Sequence, residues 1–207
     1  MKLDVTDLKK YYNGRLVLDV ERLAIGSGRI IALIGPNGSG KSTLLRLLKG
    51  IEKAEAGNIL YDGSDALPDG DIAFQPQQPY IFDLTVAGNV KLGLQHAKMN
   101  IHDCMIRSPE ATDCEMRSPN EANDREQVSE AVTDALKNVR MEGFANARAI
   151  QLSVGEKQRV ALARTLTIKK RLILLDEPAS SIDILSMKLV EDYMRRVNTE
   201  HLSTVAY

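Results

Sequence analysis

The chain has no excess of charge of either sign: 27 lysines and arginines stand against 28 aspartates and glutamates in 207 residues. That balance lacks the electropositive bias on which non-specific nucleic-acid binding depends, so no nucleic-acid partner is expected. Long apolar runs are missing as well. The longest uninterrupted aliphatic run is "IIALI", around Ile31, far short of a membrane span. The first residues, "MKLDVTDLKKYYNG", carry charges where a signal peptide needs an apolar core. Two cysteines make no disulfide framework. What remains is the expectation of a soluble cytosolic protein, long enough for one domain or for one domain with a small inserted lobe.

What is present alternates strands with helices. "LVLDVERLAI" (Leu16 to Ile25) has extended character and is followed by a turn at "GSG". "RIIALI" (Arg29 to Ile34) is a β-branched run of the kind expected for a strand buried on both faces. It leads into a glycine-rich loop and then "STLLRLLKG", an amphipathic helix closed by Gly50. "GNILYDG" reads as a further strand, and "DIAFQPQQP" as one stopped by two prolines. From about Thr85 to Ile150 the sequence is polar and helix-prone. A helix (Val154 to Ile168), the strand "RLILLDEP", a last helix (roughly Ile184 to Asn198) and "STVAY" follow. The order implies a mostly parallel sheet with a helical insertion.

The insertion holds an internal duplication: "CMIRSPEATD" (Cys104 to Asp113) is followed by "CEMRSPNEAND" (Cys114 to Asp124). So short a polar tandem cannot bury a core of its own and reads as a solvated loop. His102, Cys104 and Cys114 offer soft ligands, but the spacing fits no standard zinc pattern and a fourth ligand is not evident.

Two stretches carry chemistry. "GPNGSGKST", Gly35 to Thr43, matches G-x-x-x-x-G-K-[ST] between a strand and a helix. In that context Gly35, Pro36, Asn37, Gly38, Ser39, Gly40, Lys41, Ser42 and Thr43 form a loop whose backbone N–H groups curl around phosphate oxygens. The helix behind it aims its positive end at the same oxygens. Lys41 reaches the β- and γ-phosphates and Ser42 is placed to ligate Mg²⁺. "RLILLDEP" puts Asp176 and Glu177 at the carboxyl end of a hydrophobic strand, the crevice side of an open α/β sheet. Asp176 suits Mg²⁺; Glu177, pointing elsewhere, suits the polarising of an attacking water. A strand ending in Asp-Glu is by itself equally a solvated terminus; the phosphate loop tips the reading toward function.

Together these residues resemble the ATP-binding-cassette ATPases over nearly the whole chain. "GPNGSGKST" looks like their Walker A, "LILLDEP" like Walker B, "LSVGEKQRVALARTL" like the signature segment and "SSID" (Ser180 to Asp183) like the D-loop. The resemblance implies a P-loop NTPase (RecA-like) α/β core with a mostly parallel sheet, an antiparallel N-terminal β part and an inserted α-helical subdomain. Residues 1–84 and 158–207 would form the nucleotide-binding core and 85–157 the helical subdomain, with the duplication at 104–124. It implies ATP and Mg²⁺ as ligands, Glu177, Gln77 and Lys41 as catalytic residues, and Ser42, Gln77 and Asp176 at the metal. Ser153, Gly155 and Asp183 would contact nucleotide, and Tyr12 would stack on adenine, with Tyr11 a rival. Gln77 is preferred over Gln75 and Gln78 as the Q-loop glutamine because "PYIFDLTV" follows it in the family's register; Gln75 is expected to end the preceding strand.

The same resemblance implies a second ATPase subunit completing two sandwiched sites, a transmembrane permease subunit, a substrate-binding protein and a place on the cytoplasmic face of the membrane. "PYIFDLTV" looks like cassettes of oxyanion importers of the tungstate or molybdate kind. The family's switch histidine lies on the strand after the final helix, and this chain stops at "STVAY" before reaching it, so a C-terminally truncated cassette is expected, and His201 is not its substitute. Alternatives are an ATP-binding regulatory or scaffold protein with little turnover, and a soluble non-transport ABC ATPase.

"LSVGE" adds a local expectation. Ser153 and Glu156 form the S-x-x-E capping box, placing Val154 at the first helical position, where helical dihedrals admit a β-branched residue but its bulk faces an approaching phosphate.

Overall fold

In the computed structural model of the protein, residues 1–68, 70–98, 121–168, 170–178, 184–201 and 203–207 are described. His102, Cys104, Cys114 and the duplication as far as Asn120 lie outside them, as do Ser180 and Asp183.

Two strands open the chain as a hairpin. β1 (Leu3–Tyr12) and β2 (Arg15–Ile25) pair antiparallel around Asn13 and Gly14, both at positive φ (51° and 78°). Asn-Gly is the dipeptide that such a two-residue turn requires, because both central residues are left-handed. β4 (Ala56–Tyr61) pairs with the other edge of β1, giving an antiparallel sheet in the order β2-β1-β4. The second sheet is parallel throughout, in the order β3-β7-β6-β5, with β3 at Ile30–Ile31, β5 at Ile72–Gln75, β6 at Leu172–Leu175 and β7 at Thr204–Ala206. The expected antiparallel N-terminal part and parallel core are therefore both found.

β6 shows how this sheet is buried. All four of its side chains are fully covered. Leu172 and Leu174 join a core with the antiparallel sheet and α1 (Lys41–Lys49); Ile173 and Leu175 join a second core on the opposite face. That is the both-faces burial an unbroken aliphatic strand calls for. At about 1.5–3 kcal/mol per fully buried aliphatic side chain, these four residues make β6 a principal anchor of the fold.

β3 departs from expectation. "RIIALI" was expected to be buried on both faces, yet only Ile30 and Ile31 form regular strand, both half-buried, and Ile34 is 94% exposed. The cause is strand order: β3 is the edge of the parallel sheet, with β7 on one side only. Its pairing does run on, since the Leu33 N–H donates to the Tyr207 carbonyl at 2.5 Å.

The second core is closed by α2 (Val86–Lys98), α3 (Glu121–Asn138), α4 (Val154–Leu166) and α5 (Ile184–His201). α5 runs to His201, three residues past the expected end. α2 and α4 approach closely at Gly93, where a Cβ would stand 2.4 Å from the Arg164 carbonyl oxygen; only glycine fits. No helix among the described residues is long and apolar enough to cross a membrane.

Candidate nucleotide site

The loop between β3 and α1 is shaped by glycines. Gly38 and Gly40 adopt φ of 80° and 89°. A Cβ on Gly40 would in addition meet Leu18 Cδ1 at 2.9 Å and the Val17 carbonyl at 3.1 Å, so the loop and β2 pack too closely for any other residue. Gly40 is also the N-cap of α1, which has no side-chain cap and no acidic residue in its first turn. The first N–H groups of that helix consequently have neither an intrahelical acceptor nor a capping side chain, and they carry the positive end of its dipole. Gly50 closes the helix in the left-handed conformation, as expected from sequence.

Lys41 Nζ donates to the Gly35 and Pro36 carbonyls at 2.8 and 3.0 Å, which holds the ammonium at the centre of the loop. Ser42 Oγ donates to Asp176 Oδ1 at 2.8 Å across 134 residues of sequence. Asp176 is 2% exposed, and its N–H donates to the Gln75 carbonyl at 2.9 Å, fixing the end of β6 against β5. Glu177, one residue on, turns away with φ 48°, the left-handed region that costs a non-glycine residue of order 1 kcal/mol. That turn carries its carboxylate to Gln77, whose Nε2 donates to Glu177 Oε2 at 2.7 Å. Lys41, Asp176 and Glu177 border one cavity of about 410 Å³, walled on its other side by apolar residues such as Leu33, Met187 and Val190.

These groups fit a magnesium nucleotide. The glycine cradle and open helix N-terminus suit phosphate oxygens, while a hydroxyl paired with a buried carboxylate supplies the hard oxygens that Mg²⁺ prefers. Gln77, with its Nε2 on Glu177, keeps an amide oxygen for the same ion or for water. Among the described residues no three His, Cys, Asp or Glu side chains gather as a protein-only metal site. Phosphate oxygens and water would have to complete the shell.

Tyr12, at the end of β1, is 40% exposed. Its hydroxyl bonds to Glu52, which raises the phenol pKa, and Lys10 Nζ lies 5.4 Å from its ring centroid. Lys10 itself is held by Glu55 at 2.9 Å and the Lys53 carbonyl at 2.7 Å. Tyr11 is almost equally exposed, at 38%, and is tied to the same segment through its N–H, which donates to Glu55 Oε2 at 3.0 Å.

Residues 18–180 match the family described as ABC transporter. The chain belongs to that family. It is 34% identical over 206 residues to the tungstate uptake system ATP-binding protein TupC of Peptoclostridium acidaminophilum, covering 99% of this chain and 85% of that protein. It is 33% identical over 212 residues to the sulfate/thiosulfate import ATP-binding protein CysA of Bacillus cereus, covering 100% of this chain and 54% of that protein. The chain therefore spans about half the length of the CysA relative. In fold it resembles cbiO1 from Clostridium perfringens, part of the ABC transporter complex cbiONQ, with a TM-score of 0.73 and 25% identity over 99% of this chain and 76% of that one.

In this ABC cassette the "LSVGE" segment folds as its sequence demands. Ser153 is the N-cap of α4 and Val154 its first helical residue. The Ser153 N–H and Oγ donate to Glu156 Oε2 at 2.8 and 2.7 Å, and the Glu156 N–H donates back to Ser153 Oγ at 3.4 Å, a complete capping box. These bonds hold the Glu156 carboxyl below its ordinary pKa. Val154 is 69% exposed. Among the described residues the Ser153 side chain bonds only within this box, whereas Ser42 with Asp176 and Gln77 with Glu177 are brought together by the fold.

Three supporting residues escaped the sequence reading. Asn89 of α2, fully buried, accepts from the Phe82 N–H at 3.0 Å and donates to the Phe82 and Thr85 carbonyls at 3.1 Å. Arg164 of α4 donates to the Tyr80 carbonyl at 2.8 Å, and its guanidinium lies 5.4 Å from the Phe82 ring centroid. Between them they clamp the segment that follows Gln77. Gln158, 3% exposed, donates to the Pro178 carbonyl just past Glu177 at 3.5 Å. The one signal available for them was a polar residue on an otherwise apolar helix face.

Proposed function

We propose that this cassette binds and hydrolyses MgATP and couples that hydrolysis to the uptake of a small oxyanion through a separate membrane permease. The observation that carries the reading is the pair of contacts, long-range in sequence, at the end of β6: Ser42 to Asp176, and Gln77 to Glu177. They separate two tasks that phosphoryl transfer needs, holding a metal and orienting a nucleophile.

In this account the loop Gly35 to Thr43 grips the phosphates, Lys41 offsets the charge of the β- and γ-groups, and Ser42 with Asp176 and Gln77 would hold Mg²⁺. A metal held there would offset phosphate charge. Glu177 takes the proton of the attacking water, and Gln77 keeps that carboxylate aimed. Tyr12 stacks on adenine. Ser153 and Gly155 face the γ-phosphate of a second cassette, so each chain contributes two half-sites and a homodimer completes them; Asp183 would meet the same interface. Residues 1–84 and 158–207 act as the core and 85–157 as the lobe that transmits the nucleotide state.

The names of TupC, a tungstate uptake system ATP-binding protein, and CysA, a sulfate/thiosulfate import ATP-binding protein, support the oxyanion class and uptake; uptake in turn calls for a permease, a substrate-binding protein and a place on the cytoplasmic face of the membrane. Phosphate release by the purified chain tests the chemistry. It is expected to need Mg²⁺, to stop with a chelator, and to fall in Ser42→Ala with ATP still bound. Release that ran unchanged without divalent metal would remove the proposed mechanism.

A further inference from the structure

Below the Gln77 loop lies a second cavity of about 270 Å³, enclosed by the end of β5, Leu92 and Gly93 of α2, and Arg164 and Thr165 of α4. Two of its lining groups are out of keeping with a dry core. Gln75 is 1% exposed, and neither its amide nitrogen nor its amide oxygen has a hydrogen-bond partner. Arg164 buries Nη1, likewise without a partner; its other terminal nitrogen is the one on the Tyr80 carbonyl. No carboxylate among the described residues pairs with this guanidinium. Thr165 is not the missing acceptor either, because its hydroxyl already donates to the Ala161 carbonyl at 3.0 Å.

Such groups are costly when left unmet. A buried amide without partners keeps the desolvation cost that a hydrogen bond would offset, and a guanidinium N–H buried without an acceptor adds to it. Burial pushes the Arg164 pKa down. What would satisfy both donors at once is a ligand with several acceptor oxygens and negative charge, small enough for the space.

We propose that this cavity is a binding site for a small inorganic oxyanion, whose oxygens accept from Arg164 Nη1 and Gln75 Nε2, with water filling the remaining volume and meeting Gln75 Oε1. The site stands apart from the phosphate loop and does not depend on ATP hydrolysis, but it is wired to that chemistry. The Gln75 carbonyl holds the Asp176 N–H, Gln77 two residues later holds Glu177, and Arg164 anchors Tyr80 on the far side of the loop. An anion here braces both ends of the segment that aims Gln77.

Equilibrium dialysis with radiolabelled sulfate tests this, using the whole chain saturated with ADP so that the phosphate loop is filled, at constant ionic strength in chloride. One saturable sulfate per chain is expected, with affinity weakened at least about tenfold in Gln75→Leu and in Arg164→Gln. Gln75→Leu breaks no hydrogen bond of the fold, so it decides the matter even if Arg164→Gln, which gives up the Tyr80 anchor, does not fold; retained ADP binding verifies it. No saturable sulfate in the wild-type chain, or unchanged binding in Gln75→Leu, overturns the proposal and leaves the cavity to water.

Discussion

Gln77 Nε2 donates to Glu177 Oε2 at 2.7 Å, joining the loop after β5 to the loop after β6. Two residues a hundred positions apart in sequence thus form one unit: an acceptor for a proton and the amide that aims it. Replacing Gln77 with Leu removes the aim and leaves the carboxylate. The expected result is a kcat lower by about tenfold, in line with a loss of ~1–1.5 kcal/mol for one hydrogen bond, with KM for ATP little changed. Steady-state phosphate release checks it.

Val154 stands 69% exposed at the first turn of α4. Because its side chain packs on no core, Val154→Gly forfeits at most about 1 kcal/mol of helix propensity. If the exposed isopropyl group limits approach of a partner's γ-phosphate, the variant gains turnover or ATP-dependent dimerisation by a few-fold, on the order of 1 kcal/mol. Light scattering with ATP and a parallel rate measurement read both; a fall in either shows that this position does not limit the site.

The capping box gives a stability prediction with a definite pH sign. Ser153→Ala is expected to cost about 1 kcal/mol, lowering the thermal midpoint by roughly 2–4 °C for a chain of this size. The Glu156 carboxyl has its pKa lowered by its bonds from Ser153, so the folded state binds the proton less readily than the unfolded chain. Its contribution is present above the unfolded value and lost as pH falls through the folded one, beginning near 4.5. Urea midpoints of wild type and Glu156→Gln should therefore differ at neutral pH and converge on acidification.

Asn89 is expected to matter more for stability than any surface contact. Asn89→Leu keeps the branched outline of the side chain but strips the partners from the Phe82 N–H and carbonyl, a loss of about 2–3 kcal/mol by denaturant unfolding. Because those bonds clamp the segment behind Gln77, the variant should also turn over more slowly at temperatures where it remains folded.

The legible parts of this molecule were the contiguous ones. The phosphate loop, the capping box, the proline-ended β5 and the aliphatic β6 each depend on neighbours in sequence, and each appears where its residues place it. Pairings across the chain followed from family resemblance rather than from pattern: nothing in the local sequence of Ser42 points to Asp176. The exposure of β3 was missed because an aliphatic run reads the same in the middle of a sheet as at its edge, and strand order alone decides which. Asn89, Arg164 and Gln158 were missed for a related reason, since a polar residue on a helix face points to a buried partner only once the fold shows that face to be covered.

The most direct measurement is phosphate release and ATP binding on the same preparation of Glu177→Gln. With Lys41, Ser42 and Asp176 untouched, ATP affinity is expected to stay within about threefold of wild type while release falls by about a hundredfold or more, the usual range for losing a general base. Release at the wild-type rate would contradict the assignment of Glu177 and with it the account of how this cassette hydrolyses ATP.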